Sequence, residues 1–193
     1  DDWEMEDSIQ KEIIKLWPQV NSENLHALTA FSDYQKEFLK LFGFGHSRVD
    51  YEKEVDMTIG NGWDSLQLSK LVGLQGKVYG FDIQEDAISS TQRLLTQSGK
   101  YQNFKLIRDC HTRFPVHLPR SLKGQIRAFT FNLGYLPGSD KSVITEAQKS
   151  LQAIKEAYAW LTNDGIISVI SYRGHPGGKD EFNGITHWIQ QNT

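Results

Sequence analysis

Cysteine is nearly absent from this chain. Cys110 is the one thiol in 193 residues, which excludes an internal disulfide and any metal site built from several cysteines. That scarcity fits a reducing compartment. Long apolar runs are missing as well: no stretch approaches the roughly 20 residues that a membrane-spanning helix needs. No secretory leader is recognisable, although the chain opens Asp1-Asp2-Trp3 without an initiator Met, as a removed leader or a trimmed N-terminus would leave it. Charge of one sign is not in excess either. With 21 Lys and Arg against 24 Asp and Glu, the net charge of −3 offers a polyanion no general attraction. Internal repeats and low-complexity tracts are lacking. What remains is an ordinary folding composition, 38% apolar and 23% charged, in a length that suits one domain with a modest extension.

Residues 7–42 read as helices. Ile9, Ile13 and Leu16-Trp17 recur near helical spacing, and Pro18 follows as a stop. Asn21 or Ser22 could cap a short helix, and Ser32 or Asp33 a further one carrying Tyr34, Phe38, Leu41 and Phe42 on one face. Residues 1–50 are therefore expected to form a helical extension packed on the rest. From residue 54 the pattern changes to alternating strand and helix. Strands are expected at 54–59, 77–82, 103–108, 126–132 and 165–172, with helices at 63–72, 85–97, 143–161 and 180–191. Thr145 and Gln148 have capping-box spacing before the last-but-one helix. Such alternation predicts an α/β domain over residues 51–193, a doubly wound and mainly parallel sheet with helices on both faces.

Asp56-Met57-Thr58-Ile59-Gly60-Asn61-Gly62-Trp63-Asp64 is a strand running into a glycine turn, and Asp82 closes the next strand 26 positions after Asp56. In an α/β sheet such an arrangement holds an adenosine, with the acid accepting from the ribose hydroxyls. A dinucleotide would place its pyrophosphate at the helix start, where Asp64 would repel it. Acids at 56, 64 and 82 instead suit S-adenosylmethionine, which carries an ammonium, a sulfonium and a ribose diol but no phosphate. The plainer reading has Asp56 and Asp64 merely capping the turn and the helix.

After the third of these strands comes Asp109-Cys110-His111, with Asp109 placed to read an adenine amine. His111 lines the active-site floor or is an ordinary loop histidine. The fourth strand runs into Asn132-Leu133-Gly134-Tyr135, and Asn-x-x-Tyr spacing resembles the Asn-Pro-Pro-Tyr motif of amino-group methyltransferases. A neutral amine needs acceptors to orient its lone pair, which the Asn132 oxygen and Leu133 carbonyl would supply, while Tyr135 could stack on a flat base. The fifth strand leads into Tyr172-Arg173-Gly174-His175-Pro176-Gly177-Gly178-Lys179, where Arg173, His175 and Lys179 could hold phosphates or line a surface loop. Between Lys105 and Arg127 lie six basic residues and one acid, suited to RNA or to a solvated face.

Taken together, Asp-x-Thr-x-Gly-Asn-Gly-x-Asp, Gly-Phe-Asp-Ile-Gln, Asp-x-His, Phe-Asn-Leu-Gly-Tyr-Leu-Pro-Gly-x-Asp-Lys and Tyr-x-Gly-His-x-Gly-Gly-Lys resemble the MnmM-type family, whose members carry the label rRNA methylase. The resemblance covers about residues 54–183. It implies a class I S-adenosylmethionine-dependent methyltransferase with a Rossmann-like fold, yielding S-adenosylhomocysteine. The implied reaction methylates the exocyclic amine of 5-aminomethyl-(2-thio)uridine at the tRNA wobble position, giving the 5-methylaminomethyl form. It also implies that Asp56, Thr58, Gly60, Asn61, Gly62 and Asp64 hold the methionine end, and that Asp82, Ile83 and Gln84 hold ribose and adenine edges. Asp109, Cys110 and His111 would lie near adenine or the transferring methyl. Asn132, Tyr135 and His111 would serve the reaction, and Tyr135, Leu136, Pro137, Tyr172, Arg173, His175 and Lys179 would face the substrate. Met57 stands where the family usually has Ala, and Cys110 where Ser is common.

A sheet of this class normally ends in an antiparallel hairpin, which residues 173–193 are not expected to supply. Competing readings keep the cofactor but change the acceptor to another RNA, DNA or protein amine, or make the chain a cofactor-binding scaffold without activity. The expected partner is tRNA rather than a membrane or a metal ion, and a homodimer is compatible with the chain. A bacterial setting implies the cytoplasm, a eukaryotic one the chloroplast or mitochondrion.

Overall fold

A computed structural model describes residues 11–15, 53–72, 75–136 and 143–192. In β5 (Ile126–Leu133), Ile126, Ala128, Phe129, Thr130, Phe131 and Leu133 are all buried, so both faces of the strand are covered. That is the pattern of an interior parallel strand rather than a half-wet one. Its neighbours are β2 (Lys53–Asp56) and β6 (Leu161–Tyr172), followed outward by β3 (Lys77–Asp82), β4 (Phe104–Arg108) and β1 (Lys11–Lys15). The sheet order is β1-β6-β5-β2-β3-β4. All pairs are parallel except β1 with β6. From β2 the chain winds to β3 and β4 on one side, then returns to β5 and β6 on the other. The order therefore reverses between β2 and β5, and a crevice beyond their carboxyl ends is where such sheets bind ligands.

Among the described residues five α-helices complete the layers: α1 (Trp63–Leu71), α2 (Glu85–Gln97), α3 (Phe114–His117), α4 (Ala147–Tyr158) and α5 (Gly178–Asn192). Alternation along the strands divides the apolar residues between two cores. Val55, Phe81, Phe129, Phe131 and Val169 meet Ala153, Ile154 and Ala157 of α4 and Ile185 of α5. On the other face Val78, Ala128 and Ile166 meet Leu66 and Leu68 of α1 and Ala87 and Leu95 of α2. In α2 the inward stripe is Ala87, Thr91 and Leu95, spaced one turn apart. Among the described residues no helix is long and apolar enough to cross a membrane.

The structure corrects four expectations. Residues 11–15, expected within a helix, form β1, which pairs Lys11 with Tyr172 and Lys15 with Ser168. The antiparallel neighbour of β6 thus comes from the N-terminal region. The remaining helices expected within residues 1–50 lie outside the described residues. Strand β2 ends at Asp56, short of 59, because the chain turns into the glycine loop. Strand β6 begins at Leu161 rather than 165, and its register with β5 shifts between Ile126 and Ala128. The capping box fails: Thr145 donates its hydroxyl to the Glu181 carboxylate at 3.0 Å, and α4 is preceded by Glu146 without a side-chain cap.

Candidate active site at the switch point

The glycine turn joins β2 to α1 across the switch point. Gly60 and Gly62 have φ of +50° and +86°, a region that L side chains rarely adopt. Gly62 is further constrained by α2, since a Cβ there would lie 2.6 Å from the Thr91 hydroxyl oxygen and 2.9 Å from its Cα. Thr91 also donates to the Gly60 carbonyl at 3.2 Å, tying α2 to the turn. Asp82 accepts from the Gly60 N–H at 3.1 Å and from the Gln84 N–H at 3.0 Å. One strand-terminal carboxylate thus holds both adjacent loops.

Beneath the turn, Asp56 is buried. It accepts the Ser65 hydroxyl at 2.6 Å and the Thr58 N–H at 3.3 Å. Burial first, then the neighbouring Asp64 charge, pushes its carboxyl up to about 7, against the lowering effect of Ser65. Burial likewise pushes Asp64 up to about 6, although the Asn132 hydrogen bond opposes it. Asp82 is also raised by burial, opposed by its bonds from Gln84 and Gly60. Carboxylates this reluctant to ionise in one another's company form a pocket that a cation would relieve.

The exit of β5 is fastened to this turn. The Asn132 N–H donates to the Thr58 hydroxyl at 2.7 Å, and the Asn132 side-chain amide donates to Asp64. Since a carboxylate accepts, Nδ2 faces Asp64 and Oδ1 is the amide's acceptor end, directed elsewhere. Tyr135 lies in the same loop and forms an isolated antiparallel bridge with Ile144. Tyr172 reaches this group from β6, where its ring would touch a Cβ at Gly134 at 3.2 Å. Burial, followed by the charges of Asp64 and Tyr135, raises the Tyr172 phenol and keeps it a hydrogen-bond donor. Asp56, Thr58, Asp64, Asn132, Tyr135 and Tyr172 are therefore brought together.

Other expected site residues have partners of their own. Asp109 is bound to His117 at 2.7 Å, Arg113 at 3.1 Å and the Cys110 N–H at 2.8 Å, and the His117 bond leads in lowering its carboxyl. Both of its oxygens thus take part in hydrogen bonds from neighbouring residues. Cys110 accepts from the Thr112 hydroxyl at 3.2 Å. His111 packs edge-on to Phe131, whose ring points to the face opposite Asn132. Burial, with Lys149 adding to it, pushes the His111 imidazole down to about 4 and keeps it neutral.

Leu136 is buried in the α1–α2 core and lies against the glycine turn. Pro137 lies outside the described residues. Arg173 sits 5.0 Å over the Phe182 ring, His175 bonds the Pro176 carbonyl at 3.0 Å and Lys179 is exposed. Asn61 and Ile83 are exposed beside the turn, and Gln84 is half-buried. The basic run does not form one track: Arg108 pairs with Glu85 at 2.7 Å, Arg113 with Asp109 and Lys123 with Glu156 at 3.8 Å. Ser65, Thr91 and His117 were not foreseen. A hydroxyl on the buried stripe of α1 or α2 was the available signal for the first two.

Residues 78–192 match the family described as "Putative rRNA methylase". The chain belongs to this family. The methylase match is accompanied by structural likeness. A putative rRNA-methylase from Clostridium thermocellum superimposes with a TM-score of 0.74 at 33% identity, over 84% of each chain. A putative methyltransferase from Streptococcus mutans in complex with SAH gives 0.69 at 30% identity, over 84% of this chain and 82% of that one. The fold is that of class I S-adenosylmethionine-dependent methyltransferases. In sequence, the chain is 43% identical over 135 residues to the chloroplastic tRNA (mnm(5)s(2)U34)-methyltransferase of Arabidopsis thaliana, covering 66% of this chain and 48% of that protein. The chain thus spans about half the length of that relative. Residues 1–55 are similar to a different family, the enoyl reductase FAD binding domain. There the chain spans 15% of a matching enoyl-[acyl-carrier-protein] reductase from Shewanella frigidimarina.

Proposed function

We propose that this methylase-family protein transfers a methyl group from S-adenosylmethionine to the exocyclic amine of 5-aminomethyl-(2-thio)uridine at the tRNA wobble position. The product is the 5-methylaminomethyl nucleoside. The cofactor supplies an electrophilic methyl on a sulfonium and leaves as S-adenosylhomocysteine. The residues present fit it: Asp56, Asp64 and Asp82 take neutral donors from Ser65, Asn132, Gly60 and Gln84, which suits a ligand that brings positive charge. Asp82 would hold the ribose diol, with Ile83 and Gln84 beside the adenine. Asp56, Asp64 and the N–H groups of the turn would hold the methionine end.

Asn132 carries the reading. Its backbone N–H bond to Thr58 joins the cofactor turn to the β5 exit loop, and its side-chain bond to Asp64 fixes the orientation of its amide. Oδ1 can then accept an N–H of the arriving amine, aiming the nitrogen lone pair at the methyl. Holding two reactants in such an attack geometry supplies much of the acceleration without acid–base chemistry. Tyr135 and Tyr172 would line the acceptor side and contact the uracil ring. The name of the Arabidopsis relative supports the acceptor, and the SAH complex of the Streptococcus relative supports the cofactor.

The test incubates the protein with labelled S-adenosylmethionine and tRNA from cells lacking the final methylation, followed by digestion to nucleosides. Label on 5-methylaminomethyl-2-thiouridine is the expected outcome. Label on another RNA nucleoside, on DNA or on protein would move the acceptor, and cofactor binding without any turnover would favour the scaffold.

A further inference from the structure

We propose that the enoyl-reductase-like segment is a working part of the methyltransferase site, acting through β1 as the strand that holds Tyr172 in place. Lys11 to Lys15 pair with Tyr172 to Ser168 in unbroken antiparallel register, and Lys11 lies opposite Tyr172 itself. An edge strand holds its neighbour through backbone bonds, so the carboxyl end of β6 is fixed from both sides, by β5 and by β1. Tyr172 is where that fixing matters. Its ring lies against Gly134 and within the electrostatic reach of Asp64 and Tyr135, at the boundary between cofactor turn and acceptor loop. Without β1, the last residues of β6 would be an unpaired edge leading into the 173–177 turn. Through β1, the segment resembling another family therefore serves the acceptor side of the site. This inference rests on the acceptor assignment above, but its structural half can be tested apart from it.

The experiment uses two full-length variants, Ile13→Pro and Ile14→Pro. In an antiparallel edge strand one of two adjacent residues directs its N–H to the neighbour and the other directs it outward. Proline removes that N–H, which is tolerated where it faces outward and disruptive where it faces the ladder. Hydrogen exchange at amides 168–172 should therefore accelerate at least about tenfold in one variant and stay near wild type in the other. The disrupted variant should also show KM for tRNA raised about tenfold with kcat changed less, and cofactor affinity by calorimetry unchanged.

Equal exchange in both variants, fast or slow, would overturn the strand, because a helix breaks at either position and an unstructured segment at neither. Unequal exchange with equal KM for tRNA would overturn the positioning of Tyr172. If the exchange pattern holds but the wild type methylates no tRNA, the acceptor assignment fails and the strand stands.

Discussion

The two sides of the crevice are built differently. On the β2–β3 side, carboxylates grip backbone: Asp82 holds Gly60 and Gln84, Asp56 holds Thr58, and Gly62 presses against α2. Little there can shift without breaking several bonds at once. On the β5–β6 side, Asn132 is fastened at two points, whereas Tyr135 and Tyr172 are placed by loop contacts and strand pairing. A rigid acidic cradle thus faces a side organised by side chains. The first suits an invariant small molecule, and the second an acceptor carried on a macromolecule.

Mutations should break this contrast unequally. Gly62→Ala forces a Cβ into Thr91 and leaves an L residue at φ +86°, so stability should fall by about 3 kcal/mol or more in denaturant unfolding. A change under about 1 kcal/mol would show that the cradle yields. Asn132→Ala should lower turnover about a hundredfold while cofactor affinity by calorimetry changes less than about threefold. Comparable losses in both would place Asn132 on the cofactor side alone.

The carboxylates make the contrast pH-dependent. Asp56 and Asp64 are raised from 3.8 to about 7 and about 6, so the folded chain binds more protons than the unfolded one in that window. The ligand-free protein should therefore lose stability as pH rises from about 4 to about 7. Cofactor affinity should move the opposite way, tightening about tenfold between pH 5.5 and 8 as the acids ionise to meet a cation. Parallel thermal melts and titrations across that range would expose an affinity that is flat or falls. The smallest effect is expected of Trp63→Ala. Its indole is 59% exposed on the rim, so the melting temperature should move by less than about 2 °C. A large loss would mean that Trp63 braces the turn.

Much of this was legible beforehand because local and global signals agree. Buried apolar runs mark β3 and β5, while Gly60, Gly62 and Asp82 mark the turn by steric and ligand logic that needs no partner strand. β1 was not legible: Lys-Glu-Ile-Ile-Lys is too short for its periodicity to separate strand from helix, and its pairing partner lies more than 150 residues away. The partners of Asp109 were not legible, because His117 and Arg113 return to it through a short turn and α3 that composition does not announce. Leu136, expected to face the substrate, lies against the glycine turn as an apolar support, a contact that no local pattern announces. Thr145 was drawn away from α4 by Glu181, which also takes the Ser150 hydroxyl and lies in α5, where no capping rule looks.

That last carboxylate has a mechanical consequence. The Thr145 N–H bonds the Gly134 carbonyl, Ile144 bridges Tyr135, and the Thr145 hydroxyl is hooked to Glu181 on α5. The stretch leaving β5 is thus cinched shut at its base and tethered to the last described helix. Opening that hasp would cost the Thr145–Glu181 bond, so the exit of β5 and α5 are coupled through one carboxylate.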